Sequence, residues 1–133
     1  MKIITIKSHK KRDVVDITSD VNATLKNAGR ETGICHLFVR HTTAALTTVC
    51  LDPETELELM GKIDAVVTHP ARAGESEKAH THHIGYLPPC VLASFVGSTL
   101  AIPISDGKLF LGKFQRVVLI DFEGPSEREV VVA

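Results

Sequence analysis

The segment from Arg116 to Phe122, Arg-Val-Val-Leu-Ile-Asp-Phe, sets four branched apolar residues in a row. A strand with one wet face alternates apolar and polar side chains, whereas an unbroken run of this kind reads as a strand covered on both faces. A fold that contains it needs a layer on each side of that strand, and a neighbouring subunit is one source of such cover. Other strand signals stand at both ends of the chain. "KIITIKS" (2–8) alternates, "DVVDIT" (13–18) follows, and "ICHLFVR" (34–40) and "AALTTVCL" (44–51) flank the tight polar connection "HTT". Near the C-terminus come "STLAIPI", "LFLG" and "REVVVA", with Asp106-Gly107 between two apolar runs as a hairpin signal.

Three helices interrupt these strands. "TSDVNATLKNAG" (18–29) reads as a short one, capped by Thr18 or Ser19 and stopped by Gly29. The clearest runs from Asp52: Asp52 caps, Pro53 takes the first helical position, and Glu54 and Glu56 suit the positive end of the dipole. Leu57, Met60, Ile63 and Val67 then form an apolar stripe. "PPCVLASFVG" (88–97) is a short helix opened by proline. Strands at both ends with helices between them predict an α+β domain, its body an antiparallel sheet or β-sandwich with two or three inserted helices.

A length of 133 residues predicts one domain over 1–133. The net charge of −1 offers no basic excess for nucleic acid. No apolar stretch approaches the roughly 20 residues of a membrane span, and the N-terminus lacks a secretory pattern. Three cysteines are no disulfide framework, so a reduced, cytoplasmic protein is the expectation. Motifs of the GxGxxG, Walker, HExxH, CxxC and GxSxG types are absent, and Ser94 lacks the glycine before it that a nucleophile elbow needs.

Two places carry candidate chemistry. His41 stands at the junction of two strands, where it is either a functional group or a histidine whose ring is held by neighbouring backbone. Thr42 and Thr43 beside it are turn hydroxyls, strand formers or donors to an anion. "KAHTHHIGYLPPC" (78–90) sets His80, His82, His83 and Cys90 close together. In an extended segment His80 and His82 share a face, a two-ligand unit for zinc if further ligands come from elsewhere. The plain alternative is a solvated histidine-rich loop, with Cys90 as a small buried apolar residue.

"HTTAALT" (41–47), "ASFVGSTLAIPISDGKLFLGKFQ" (93–115) and "DFEGPSERE" (121–129), in this order, resemble the YjbQ-like family, some of whose members are labelled secondary thiamine-phosphate synthases on the strength of a side activity. The match runs from about residue 33 to the C-terminus. It implies a two-layer α+β fold, assembly into a homotrimer and a cleft lined by the motif histidines. The chain departs from the family pattern in several places. Where the family carries Asn-Glu, Val49 and Cys50 lie in a stretch one residue shorter. Cys90 stands for a histidine, Phe114 for a tryptophan and Ser126 for an arginine, while Arg128 is kept. His80 or His82 matches the family's loop histidine.

A softened ligand set, His41, His82, Cys50 and Cys90, suits tetrahedral zinc by type. The alternative is a cleft that has lost its ligands. Three functions stay open. One is a small transferase or hydrolase acting on a phosphorylated or anionic metabolite, with His41, Thr42 and Thr43 in catalysis and Arg128 contacting the anion. Another is a non-catalytic metal-binding trimer using His41, His80, His82 and Cys90. The third is an assembly module with a lapsed site.

Overall fold

The structure is a computed structural model that describes residues 1–50 and 87–133. The helix read from Asp52 and the histidines at 80, 82 and 83 lie outside the described residues. Among the described residues, eight strands and two helices follow one another: β1 (Lys2–Lys7), β2 (Asp13–Asp16), α1 (Thr18–Asn27), β3 (Gly33–Val39), β4 (Ala44–Cys50), α2 (Pro89–Val96), β5 (Thr99–Ser105), β6 (Lys108–Leu109), β7 (Gln115–Asp121) and β8 (Glu127–Val132). They form a five-stranded sheet in the order β1-β8-β3-β5-β6 and a three-stranded sheet in the order β2-β7-β4. Every strand pairing is antiparallel. The class is α+β with curled antiparallel sheets.

The run at 117–120 behaves as its sequence demands. Val117 and Leu119 face the core between the sheets, with Ile6, Leu37, Leu46 and Val130. Val118 and Ile120 face the other way, against Leu92 and Ala93 of α2. Helix α2 of the same chain therefore supplies cover for which a neighbouring subunit had been one candidate. Full burial of each such side chain contributes about 1.5–3 kcal/mol. Helix α1 adds Ile17, Val21 and Leu25 to the inter-sheet core.

The end of α1 is as read, and its start is not. Gly29 takes a positive φ of 65°, and the chain closes with amide bonds from Gly29 to the Lys26 carbonyl and from Arg30 to the Leu25 carbonyl, a Schellman ending. At the other end the cap position falls on Ile17, with no side-chain cap. Thr18 is already helical and buried, and its hydroxyl accepts from the Val117 amide at 2.8 Å. Asp16 Oδ1 instead accepts from the Thr18 amide. A tertiary partner has taken the hydroxyl that local sequence assigns to the helix. The Asp106-Gly107 turn is present, with φ of 51° and 74°. The strand after it is shorter than "LFLG" suggests, ending at Leu109, and Gln115 Oε1 accepts from the Gly112 amide to shape the next turn.

Candidate functional site

The site begins with a charged pair that closes one end of the inter-sheet core. Asp121 is the last residue of β7 and is fully buried, and Arg128, on β8, is nearly so. In "EREVVV" the buried positions are Arg128 and the valines, so the strand's phase turns the guanidinium inward. A buried carboxylate needs partners for its lone pairs. Asp121 Oδ2 accepts from Ser8 Oγ at 2.6 Å, Ser126 Oγ at 2.7 Å and Arg128 Nε at 3.1 Å. Its Oδ1 accepts from Arg128 Nη2 at 2.7 Å and the Glu123 amide at 2.9 Å. Burial pushes this carboxyl's pKa up. The bonds from Arg128, Ser8, Ser126 and Glu123 outweigh that and hold it well below the usual carboxylate range.

Close packing of two loops makes the arrangement possible. The Gly124 amide donates to the Lys11 carbonyl, and a β-carbon at Gly124 would strike the Lys10 carbonyl and crowd Ser8 Oγ. The Gly124–Pro125 peptide is cis. Ser126, where the family resemblance expects arginine, uses its hydroxyl on Asp121.

Arg128 carries the network to the β3–β4 junction. Its Nη2 donates to Thr43 Oγ1 at 2.8 Å, and its Nη1 lies 3.3 Å from His41 Nδ1. On the other side of the ring, the Glu129 amide donates to His41 Nε2 at 2.9 Å. A backbone N–H can only donate, so that bond needs Nε2 to accept. The Arg128 guanidinium can only donate as well, so a neutral ring, with one acceptor nitrogen, satisfies one of the two donors. The shorter contact, from the Glu129 amide, favours the tautomer with its proton on Nδ1, in which the Arg128 contact is no hydrogen bond. The alternative reading of His41, a ring held by neighbouring backbone, describes this contact.

An open cleft of about 710 Å³ lies over this junction. One wall holds Phe38, Arg40, His41 and Thr42, and α2 with the residues after it supplies Cys90, Ser94 and Ser98. Arg40 pairs only loosely with Glu129, at 3.8 Å between half-exposed side chains. Ser94 Oγ donates to the Val91 carbonyl.

His41, Thr42 and Cys90, 49 positions apart at the extremes, thus line one cleft. Thr43 and Arg128 do not line it; both are joined to it through the hydrogen-bond network. Cys90 is exposed, unlike the small buried residue that sequence statistics favour, and Cys50 is exposed at the end of β4. Among the described residues no three His, Cys, Asp or Glu side chains gather where they could hold a metal ion. Both His41 nitrogens face protein donors, so zinc ligation by His41 requires the ring to leave the Glu129 amide.

Sequence reading passed over Arg40, Ser8 and Asp121. For Asp121 the signal was present, since an aspartate at the end of an all-apolar run is buried and needs a cation.

Comparison with known proteins places the chain among relatives of matching length. The sequence model of the "UPF0047 protein YjbQ-like" family matches residues 2–133. The UPF0047 protein YugU of Bacillus subtilis is 27% identical, over 96% of this chain and 93% of its own length. A UPF0047 protein of Methanocaldococcus jannaschii is 29% identical, over 96% and 88%. Among solved structures, a YjbQ/UPF0047 protein from Clostridium acetobutylicum superposes with a TM-score of 0.81 at 28% identity, covering all of this chain and 98% of that one. A conserved hypothetical protein from Thermus thermophilus gives a TM-score of 0.80 at 28% identity, covering 100% and 98%.

Proposed function

The chain belongs to the UPF0047 YjbQ-like family, and from that premise we propose that it is a small cytoplasmic enzyme, a transferase or hydrolase for a phosphorylated or anionic metabolite. The observation that carries the reading is the cleft wall on which His41 and Thr42 stand side by side, with His41 pinned from behind by Arg128 and Glu129. A pinned histidine beside a hydroxyl, in a concave and partly apolar site, is a reasonable acid–base arrangement. Both ring nitrogens face protein donors, Nε2 the Glu129 amide and Nδ1 the Arg128 guanidinium, so His41 exchanges a proton with a ligand only by giving up one of those contacts, of which the longer one, at Nδ1, is the easier to give up. Thr42 lines the cleft as a hydroxyl donor, and Thr43 and Arg128 hold the ring's surroundings. Thiamine-phosphate chemistry, the label some family members carry, falls within this substrate class. The test is a panel of phosphomonoesters and phosphoanhydrides assayed with and without added zinc. Turnover that His41→Ala abolishes is expected, and a fully active His41→Ala protein would refute the assignment.

A second reading is a non-catalytic homotrimer that binds zinc, or whose site has lapsed. What favours it is Cys90 standing in a histidine's place in the cleft that His41 lines. The described residues do not by themselves form a zinc site. His80 and His82 would have to complete it. Elemental analysis of protein purified without a histidine tag separates the branches, with stoichiometric zinc on one side and none on the other.

A further inference from the structure

We propose that Arg40 and Phe38 form the ligand-recognising edge of the cleft, and that they select a small phosphomonoester or carboxylate with a flat apolar body. The inference rests on the reading of the cleft as a site for an anionic metabolite and names the groups that hold each end of that metabolite. Phe38 lies near the end of β3 and Arg40 just beyond it, and both line the cleft. Phe38 keeps 43% of its surface exposed, which is unusual for a phenylalanine in a strand whose alternate residues Leu37 and Val39 are fully buried.

Two arginines are near the cleft, and their states differ. Arg128 is buried and its Nε and Nη2 are occupied by Asp121 and Thr43. It is the natural candidate from sequence, yet little of its guanidinium is left to meet an anion. Arg40 has its guanidinium at the surface. Its recorded partner is Glu129, at 3.8 Å with both side chains at least half exposed. An exposed pair of this kind contributes little, and a phosphate that accepts two parallel bonds from the guanidinium is a better partner. Thr42 supplies a hydroxyl next to it on the same wall. The cleft's other lining residues, Val39, Ala44, Ala93 and Gly97, carry no charge to oppose an apolar ring, although Val39 and Ala44 turn their side chains into the inter-sheet core, so Phe38 is the ring's main apolar contact. An anion at Arg40 and a ring against Phe38 therefore describe one ligand, held at two ends.

The experiment uses the full-length chain, with phenyl phosphate and inorganic phosphate as probes, followed by calorimetry and by amide shifts in NMR. The expected shifts concentrate at residues 38–42 and around α2, and phenyl phosphate binds about tenfold or more tightly than inorganic phosphate. Arg40→Gln weakens both probes by about tenfold or more. Arg40→Lys keeps part of the affinity, since a point charge remains without the fork. Phe38→Ala lowers phenyl phosphate to the level of inorganic phosphate and leaves the latter unchanged. Binding by Arg40→Gln equal to that of the unaltered protein overturns the proposal. So does the absence of binding by either probe at about 10 mM, a concentration that reaches even weak sites. His41→Ala separates this inference from the enzyme reading. If His41→Ala binds phenyl phosphate normally and the unaltered protein turns over nothing on the phosphoester panel, the recognition edge stands and the enzyme reading falls. If turnover is found and Arg40→Gln alters neither KM nor binding, the edge falls and the enzyme reading stands.

Discussion

Asp121 grips Arg128 with both carboxylate oxygens, Oδ1 to Nη2 at 2.7 Å and Oδ2 to Nε at 3.1 Å, although the two residues sit on different strands in different sheets. The pair joins the sheets where the apolar core ends. It also sets the guanidinium that touches Thr43 and His41. Removing the carboxylate leaves a buried cation without its counter-charge, so Asp121→Ala is expected to cost about 3–5 kcal/mol in urea unfolding. Replacing both members by apolar residues of similar volume is expected to recover much of that loss, because the pair's net contribution is smaller than the cost of breaking it. A loss below about 1 kcal/mol would mean that water reaches the pair and stabilises the orphaned arginine.

Acid should act through the same group. The folded-state pKa of Asp121 is depressed, so its stabilising contribution is complete above the unfolded value of about 3.9 and is lost as pH falls through the folded one. Asp16 is also depressed: burial pushes it up, but the Thr18 amide and Arg116 prevail, so it adds in the same direction. Stability is expected to fall steadily below about pH 4. In Asp121→Asn that fall should be shallower, with the Asp16 share remaining. Parallel curves for the two proteins would show that Asp121 is not the group being titrated.

The hydrogen-bond pattern sets two donors against a neutral ring that has one acceptor, and the shorter contact favours one tautomer. With the Glu129 amide on Nε2, neutral His41 should carry its proton on Nδ1. Long-range nitrogen–proton NMR of the ring reads this directly, as an unprotonated Nε2 and a protonated Nδ1. Asp121→Asn, by loosening Arg128, removes the donor that competes at Nδ1 and should raise the share of the Nδ1–H form while the Glu129 amide stays in its strand. A predominant Nε2–H form in the unaltered protein would break the geometry on which the role given to His41 depends.

How much of this was legible beforehand depends on the range of each interaction. The four-residue run at 117–120 announced its double burial because that is a property of one strand. Gly29 and Asp106-Gly107 announced their turns because φ is a local quantity. Thr18 misled because its hydroxyl answers to Val117, 99 positions away, and not to its own helix. The site divides in the same way. His41 and Thr42 were visible as a polar cluster at a strand junction. The cleft they share with Cys90 depends on α2 packing against β4, and no local pattern records that. Ser8 and Ser126 are unremarkable where they stand; Asp121 was marked by the end of its apolar run and Arg128 by the family resemblance, but their meeting across two sheets has no local record. Arg40 was hidden differently. An arginine at a strand end is ordinary, and it becomes informative only once Arg128 is seen to be occupied.

The last expectation concerns assembly. On β3 the residues facing away from the core are Ile34, His36 and Phe38, and both apolar ones are exposed in the single chain. Phe38 lines the cleft, but on the same face of the larger sheet Val131 of β8 pairs with Ile3 of β1, so apolar surface continues beyond it. Phe95, Phe110 and Phe114 add further exposed aromatic surface. A sheet face of this composition is expected to be covered in solution, and the family resemblance points to a trimer as the means. We expect light scattering at micromolar concentration to give a trimer that buries well over about 1,000 Å² per contact. Ile34→Glu places a charge on the outward face of β3, opposite Pro103 of β5 and away from the core, and should shift the mass toward monomer without lowering the helical and strand content. A monomeric unaltered protein would show that the exposed Ile3 and Ile34 are tolerated by water. An Ile34→Glu protein that stays trimeric would move the interface to the aromatic surface around Phe110 and Phe114.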